Sequence, residues 1–159
     1  MPKLYQNMSF DSALEKAMRY CSYQERCRLD LENRFVAWNV KKNDFEPLIQ
    51  RLIKEDFLNE RRYIEAYVRG KFLIKKWGKN KIKMGLMAKK IFNEELVAKV
   101  FVSEIDENTY VSTIKELISK KNALLDDSDP LKKRDKIYRY LLNKGYESEL
   151  VVTGLKTIT

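Results

Sequence analysis

Apolar side chains recur three and four residues apart through nearly the whole chain, the spacing of one face of an α-helix. Ser9 or Asp11 can cap a short first helix that carries Leu14, Ala17 and Met18. Ser22 followed by Glu25 reads as a capping box and predicts a second helix with Leu29, Leu31, Phe35 and Trp38. Asn43-Asp44 interrupts it, and Asp44 with Pro47 at an early helical position starts a third through Leu48, Ile49, Leu52 and Ile53. Asn59 precedes a longer fourth helix over 62–76, and Gly78 or Asn80 begins a fifth. Asn93 begins a sixth with Leu96, Val97, Val100 and Phe101. Asp106 or Asn108 opens a seventh with Tyr110, Val111, Ile114, Leu117 and Ile118. The polar run 126–130 is a loop that places Pro130 in the first turn of an eighth helix, which carries Ile137, Tyr140 and Leu141 and ends near Gly145. Residues 147–155 form a ninth helix, although Val-Val-Thr-Gly within it also suits a terminal strand.

The apolar pattern repeats at a period near 50 residues. Leu48-Ile49-x-x-Leu52-Ile53 returns as Leu96-Val97-x-x-Val100-Phe101, and again as Leu150-Val151-x-x-Gly154-Leu155. Tyr63-Ile64-x-x-Tyr67 returns as Tyr110-Val111-x-x-Ile114, and Lys90-Ile91-Phe92 corresponds to Lys144-Gly145-Tyr146. Two patterns returning in the same order favour true repeats, although amphipathic helices also resemble one another by chance. A three-helix unit of this size has little core of its own, so neighbouring units must stack. The expectation is an all-α protein of about nine helices in tandem three-helix repeats, with modules at 1–57, 58–105 and 106–159, stacked into an elongated, curved array.

Composition narrows this further. With 44% hydrophobic and 35% charged residues, five Gly and three Pro, a folded helical protein fits better than a turn-rich β fold or a disordered chain. No apolar run reaches the roughly 20 residues that span a bilayer, and the first ten residues lack the apolar stretch of a signal peptide. A cytoplasmic location is the expectation. Cys21 and Cys27, with no histidine in the chain, make no ordinary zinc site and read as small apolar helix residues. The chain also lacks the commonest general base and any Ser–His or Cys–His nucleophile pair, a phosphate-cradling glycine loop and a dinucleotide fingerprint. Asp126, Asp127 and Asp129 invite comparison with a magnesium site, but one short loop of carboxylates without a basic partner suits helix capping better. The sequence therefore predicts no enzyme, no metal and no cofactor.

Charge is distributed unevenly. The protein has 32 Lys+Arg and 23 Asp+Glu, a formal charge of +9. Nine of those basic residues fall between Ala66 and Asn93, a stretch without a carboxylate, and the remainder of the chain carries 23 of each sign. A localised patch of this kind is what a polyanion or an acidic protein surface recognises. On a helical wheel Arg62, Arg69 and Lys76 lie seven apart and fan over about 40°, a straight basic ridge, with Ile64, Tyr67, Val68 and Ile74 on another side. Lys71 and Lys75 fall nearer that apolar side and can snorkel along it. Lys79, Lys83 and Lys90 share a face of the fifth helix, with Leu86 beside them. Trp77, between the two basic helices, suits stacking on a base, anchoring a partner, or a hinge place beside Gly78. The candidate binding residues are Arg62, Arg69, Lys71, Lys75, Lys76, Trp77, Lys79, Lys81 and Lys83; Lys89 and Lys90 read as solvating a helix end.

Several segments resemble the RecX family, the small regulators of the RecA recombinase. Tyr20-Cys-Ser-Tyr-Gln-Glu-Arg-Cys27 resembles the start of its second helix, and Phe57-Leu-Asn-Glu-Arg-Arg-Tyr-Ile-Glu-Ala-Tyr-Val-Arg-Gly-Lys71 its most recognisable motif. Trp77-Gly-Lys-Asn-Lys-Ile82 looks like the start of the next helix. Lys136-Ile-Tyr-Arg-Tyr-Leu-Leu-Asn-Lys-Gly-Tyr146 looks like the closing unit of Bacteroidetes-type members. The resemblance covers almost the whole chain. It implies tandem three-helix repeats, a cytoplasmic location, a non-enzymatic role and binding along the groove of the RecA–DNA filament; a monomer that touches single- or double-stranded DNA through its phosphates is the accompanying expectation. From there the family restrains recombinase, ATPase and coprotease activities. Two departures stand out: Val40-Lys-Lys-Asn-Asp44 replaces the usual first-unit turn, and Met84-Gly85 sits where polar helix formers are commoner, which implies a less rigid fifth helix. General nucleic-acid binding without a recombinase, and a helical scaffold for another acidic partner, are the alternative readings.

Overall fold

The computed structural model describes residues 6–158. Among them are nine α-helices: α1 Phe10–Tyr23, α2 Arg28–Ala37, α3 Phe45–Lys54, α4 Glu60–Arg69, α5 Lys79–Ala88, α6 Glu94–Glu104, α7 Glu107–Leu124, α8 Pro130–Asn143 and α9 Ser148–Leu155. The described residues form no strand; Met8 and Val40 make one isolated parallel bridge. The last segment, where a strand was the competing expectation, is helical. Two compact units divide between Ala66 and Tyr67.

In the first unit α3 packs on α1 and α2. Ala13, Leu14, Ala17, Leu31, Phe35, Leu48, Ile49 and Leu52 make its core, with Cys21 closing one edge. Burial pushes the Cys21 thiol up to about 11, so it sits there as a small apolar group. Arg28 on α2 grips Glu46 on α3 through two guanidinium nitrogens, at 2.5 and 2.9 Å. Those bonds, joined by one from Gln50, hold the Glu46 carboxyl at about 2.

The expected start of the second helix is corrected. α1 continues through Ser22, whose hydroxyl donates to the Met18 carbonyl at 2.8 Å, and α2 begins six residues later at Arg28. Asp30, rather than Glu25, reaches back to accept from the Cys27 backbone N–H at 3.1 Å. A Ser-x-x-Glu spacing is necessary for a capping box but is also common inside a helix, where the hydroxyl bonds the preceding turn.

The recurring segments correspond to a recurring helix ending. After α2, α3, α5 and α8 the chain turns through a left-handed residue: Asn39 (φ 60°), Asp56 (φ 62°), Lys90 (φ 60°) and Gly145 (φ 99°). In each case the next amide donates back to the last turn, Val40 to Phe35, Phe57 to Leu52, Ile91 to Leu86 and Tyr146 to Leu141, at 2.8–3.1 Å. This is the Schellman arrangement, with an apolar residue following the turn. It puts Lys90 in register with Gly145 and Ile91 with Tyr146, one residue off the sequence pairing of Lys90-Ile91-Phe92 with Lys144-Gly145-Tyr146. Lys90 has a Cβ in a backbone region that costs about 1–2 kcal/mol without glycine. Glycine's extra freedom in the unfolded chain offsets about 0.5–1 kcal/mol of that. Lys90→Gly is therefore expected to stabilise the protein by about 0.5–1 kcal/mol, read as a higher urea midpoint with an unchanged m value.

In the second unit α7, α8 and α9 pack against one another, and α5 packs on the turn that follows α4. Ile114 and Ile118 of α7 lie against Gly154 of α9, where a Cβ would stand 2.8 Å from the Ile118 Cδ1. Val111, expected on the apolar side of α7, is exposed; Tyr110, Thr113, Ile114 and Ile118 are the buried set. Gly85 likewise has a packing reason: a Cβ there would fall 2.0 Å from the Tyr67 hydroxyl.

Candidate functional site

The acid-free stretch folds as the end of α4, a π-helical turn Gly70–Ile74, a loop through Lys76 to Gly78, and α5. The π turn changes the wheel drawn from the sequence. Bonding from i to i−5, as in Lys75 N–H to Gly70 carbonyl at 3.3 Å, lowers the rotation per residue. Phe72 consequently falls on the buried side, and Ile74, expected there, is 78% exposed. Lys76 then leaves the helix altogether at φ 58°, so it does not continue a straight ridge from Arg69.

The loop is stitched to residues some 70 positions later. The Gly78 N–H donates to the Lys144 carbonyl at 2.7 Å and the Asn80 N–H to the Gly145 carbonyl at 2.9 Å. Lys144 Nζ donates to the Lys75 carbonyl at 3.1 Å, and the Tyr146 hydroxyl to the Lys76 carbonyl at 2.8 Å. Beneath them Phe72, Tyr110 and Tyr146 stack in a row with ring centroids 5.7 and 5.3 Å apart. The buried Tyr110 hydroxyl accepts from the Lys79 N–H at 3.0 Å, at the start of α5, and donates to the Glu147 carboxylate. Burial, reinforced for Tyr110 by that carboxylate, raises both tyrosines far above the ordinary phenol range.

On this support the candidate cations divide into two groups. Arg62, in the first unit, donates to Glu25 at 3.1 Å and pairs with Asp56 at 2.8 Å. In the second unit Arg69 pairs with Glu104 at 3.1 Å, and Lys79 with Glu107 at 2.7 Å, both acids lying beyond the acid-free stretch. These three charges are engaged internally. Lys71, Lys75, Lys76, Lys81 and Lys83 have no carboxylate within 4.0 Å among the described residues. Two of them converge on Trp77: Lys71 Nζ stands 4.7 Å and Lys81 Nζ 4.5 Å from its ring centre, and Lys71 also lies 5.3 Å from Tyr67. Trp77 is half-buried beneath these ammonium groups, so in this structure it positions cations.

The sequence reading missed Lys144, Lys121 and Tyr140. A Gly145 Cβ would lie 2.4 Å from the Lys81 Cβ, so Lys81 and Lys144 are close neighbours. Burial, with the Lys81 charge adding to it, lowers the Lys144 pKa. Lys121 and Lys144 lie 4.6 and 5.8 Å from the Tyr140 ring centre, a second lysine–aromatic group on the third module. The available signal was Lys144 beside Gly145, the expected end of the eighth helix. By contrast Asp129 caps α8 through the Leu131 N–H and Asp127 pairs with Lys136 at 3.0 Å. No group of three metal-ligating side chains occurs among the described residues, and no helix there is long and apolar enough to cross a membrane.

Fold and surface together define a tandem three-helix-repeat protein with a lysine–aromatic face. Residues 59–100 match the second three-helix domain of RecX and residues 108–152 the third. The Regulatory protein RecX of Clostridium acetobutylicum is 34% identical over 130 residues, covering 77% of this chain and 60% of that protein. That of Clostridium perfringens strain 13 is 26% identical over 152 residues, covering 94% and 70%. The crystal structure of RecX from Lactobacillus salivarius shares the fold with a TM-score of 0.81 at 24% identity, over 93% of this chain and 95% of that one. A second crystal structure, of a regulatory protein RecX, gives 0.79 at 20% identity over 90% and 73%. This chain belongs to the RecX family.

Proposed function

We propose that this protein regulates the RecA recombinase from the groove of the RecA–DNA filament, as a cytoplasmic monomer of three modules divided near residues 57 and 105. It restrains strand exchange, ATP hydrolysis and coprotease activity there. The observation that supports this most is the unneutralised lysine group around Trp77, clamped to the third module by the four hydrogen bonds of the Lys75–Asn80 loop. Lysines held in fixed places on a repeat body suit a regular, extended, negatively charged partner better than a small ligand. Of the candidates named from the sequence, Lys71, Lys75, Lys76, Lys81 and Lys83 carry the contact with filament protein or DNA phosphate. Arg69 and Lys79 brace the surface, and Arg62 is engaged within the first unit.

The test neutralises Lys71, Lys75 and Lys81 to glutamine, which spares the internal ion pairs. RecA ATPase on single-stranded DNA is measured with each protein at two salt concentrations. The wild type inhibits, and the triple variant, with an unchanged helical spectrum, needs at least about tenfold more protein for the same effect, three lost charge contacts of about 0.5–1 kcal/mol each. If phosphates are the contact, the log–log salt slope of DNA binding falls by roughly 2–3. Equal inhibition by the folded triple variant overturns the residue assignment. No inhibition by the wild type overturns the function.

A further inference from the structure

α5 and α6 leave a groove of about 390 Å³ between them on the second unit. Its floor is the buried Leu86, Ile91, Val97 and Phe101, and its mouth is lined by Met87 and Phe92. These last two are 55% and 65% exposed, and Met84 beside them on α5 is 70% exposed. Large apolar side chains gathered around a cleft, methionines included, are what a helix-binding surface presents. Hydrogen-bonding side chains line only the rim, so a small polar ligand finds few partners inside.

Charge says what kind of segment fits. Lys83 stands on the α5 rim with its Nζ 5.7 Å from the Phe101 ring centre, and α5 contains no carboxylate. Glu94 stands on the opposite rim, in the first turn of α6. An occupant that is acidic toward α5 and apolar toward the floor satisfies both the Lys83 ammonium and the exposed rings. One that is basic toward α5 meets an acid-free helix.

We infer that this groove docks an amphipathic helix of a partner protein, its apolar stripe on Met87, Phe92 and Phe101 and its carboxylates toward Lys83. This goes beyond the proposed regulation of RecA and stands whichever protein supplies the helix. Lys83 is shared with the lysines proposed for the filament contact, whereas Lys71 and Lys81, the two over Trp77, do not line the groove.

The probe is a 16-residue peptide with leucines at i, i+3, i+4 and i+7 and glutamates flanking them on one side. Binding is followed by NMR of ¹³C-methyl methionine in the full chain. Saturable shifts are expected at Met84 and Met87, with Met8 and Met18 unmoved. Peptides with Leu→Ala or Glu→Lys changes are expected to bind at least about tenfold more weakly, the scale of one lost buried apolar contact. Ala98→Glu, on the groove, is expected to abolish the shifts, while Val102→Glu, at an 84% exposed position of α6, leaves them intact. Absence of shifts, equal binding of the Glu→Lys peptide, or peptide-free shifts that track dimer formation in sedimentation would each overturn the inference. The recombinase assay is separate: lysine-dependent inhibition with no peptide binding removes the groove alone, and peptide binding with no inhibition removes the regulatory reading alone.

Discussion

Gly78→Ala is expected to destabilise the second unit by about 3 kcal/mol or more, as backbone overpacking with no room to relax. A Cβ at Gly78 would lie 2.3 Å from the Gly145 carbonyl carbon, 2.4 Å from its oxygen and 2.4 Å from the Tyr146 nitrogen. All three are backbone atoms, and they are fixed from both sides. Gly78 itself donates to Lys144, and Gly145 holds the left-handed turn that ends α8. A flexible side chain would swing aside from a new methyl group; these atoms move only if the loop lifts from α8. Lifting breaks the Gly78, Asn80, Lys144 and Tyr146 hydrogen bonds together. Urea unfolding checks the stability change, and loss of amide protection confined to 75–82 identifies lifting as its cause.

Tyr110→Phe carries the second large effect, about 2–3 kcal/mol in chemical denaturation. The change leaves the ring stack between Phe72 and Tyr146 and removes only the hydroxyl. That hydroxyl answers two groups at once, accepting from the Lys79 N–H and donating to Glu147. Without it an amide at the start of α5 loses its partner, as does a half-buried carboxylate, and unmet buried polar groups cost more than their hydrogen bonds contribute when made. Glu147→Gln keeps an acceptor and is expected to cost less than half as much. In a double-mutant cycle the two changes couple by about 1 kcal/mol, since each removes an interaction the other also needs. An additive result would assign the loss to packing.

Much of the helix layout was readable in the chain because caps act locally. Ser9, Asn59, Asn93, Asp106 and Asp129 each accept an amide two or three residues on, as their place before an apolar run implies. What escaped reading depended on distant residues or on backbone states the sequence does not advertise. Lysine at 76 and 90 gives no hint of a left-handed turn that glycine at 145 announces openly. The π turn shifted the phase beyond Gly70, which misplaced Ile74. The charge count was right and its meaning incomplete: Arg69 and Lys79 stood among the candidate binding cations, whereas Glu104 and Glu107 reach back from outside the stretch to engage them. Trp77 read equally well as a stacking platform, an anchor or a hinge until Lys71 and Lys81 were placed over its ring.

The stitching of Lys75 to Asn80 onto residues 144–146 has a consequence in time as well as space. Hydrogen bonds spanning 69 and 70 positions reach across nearly half of a 159-residue chain. At a translation rate of roughly 5–20 residues per second, the loop leaves the ribosome about 4–14 s before its partners exist. The charged surface is then the part of the protein that waits longest for its structure, and the high contact order of its support makes its assembly a late step in folding.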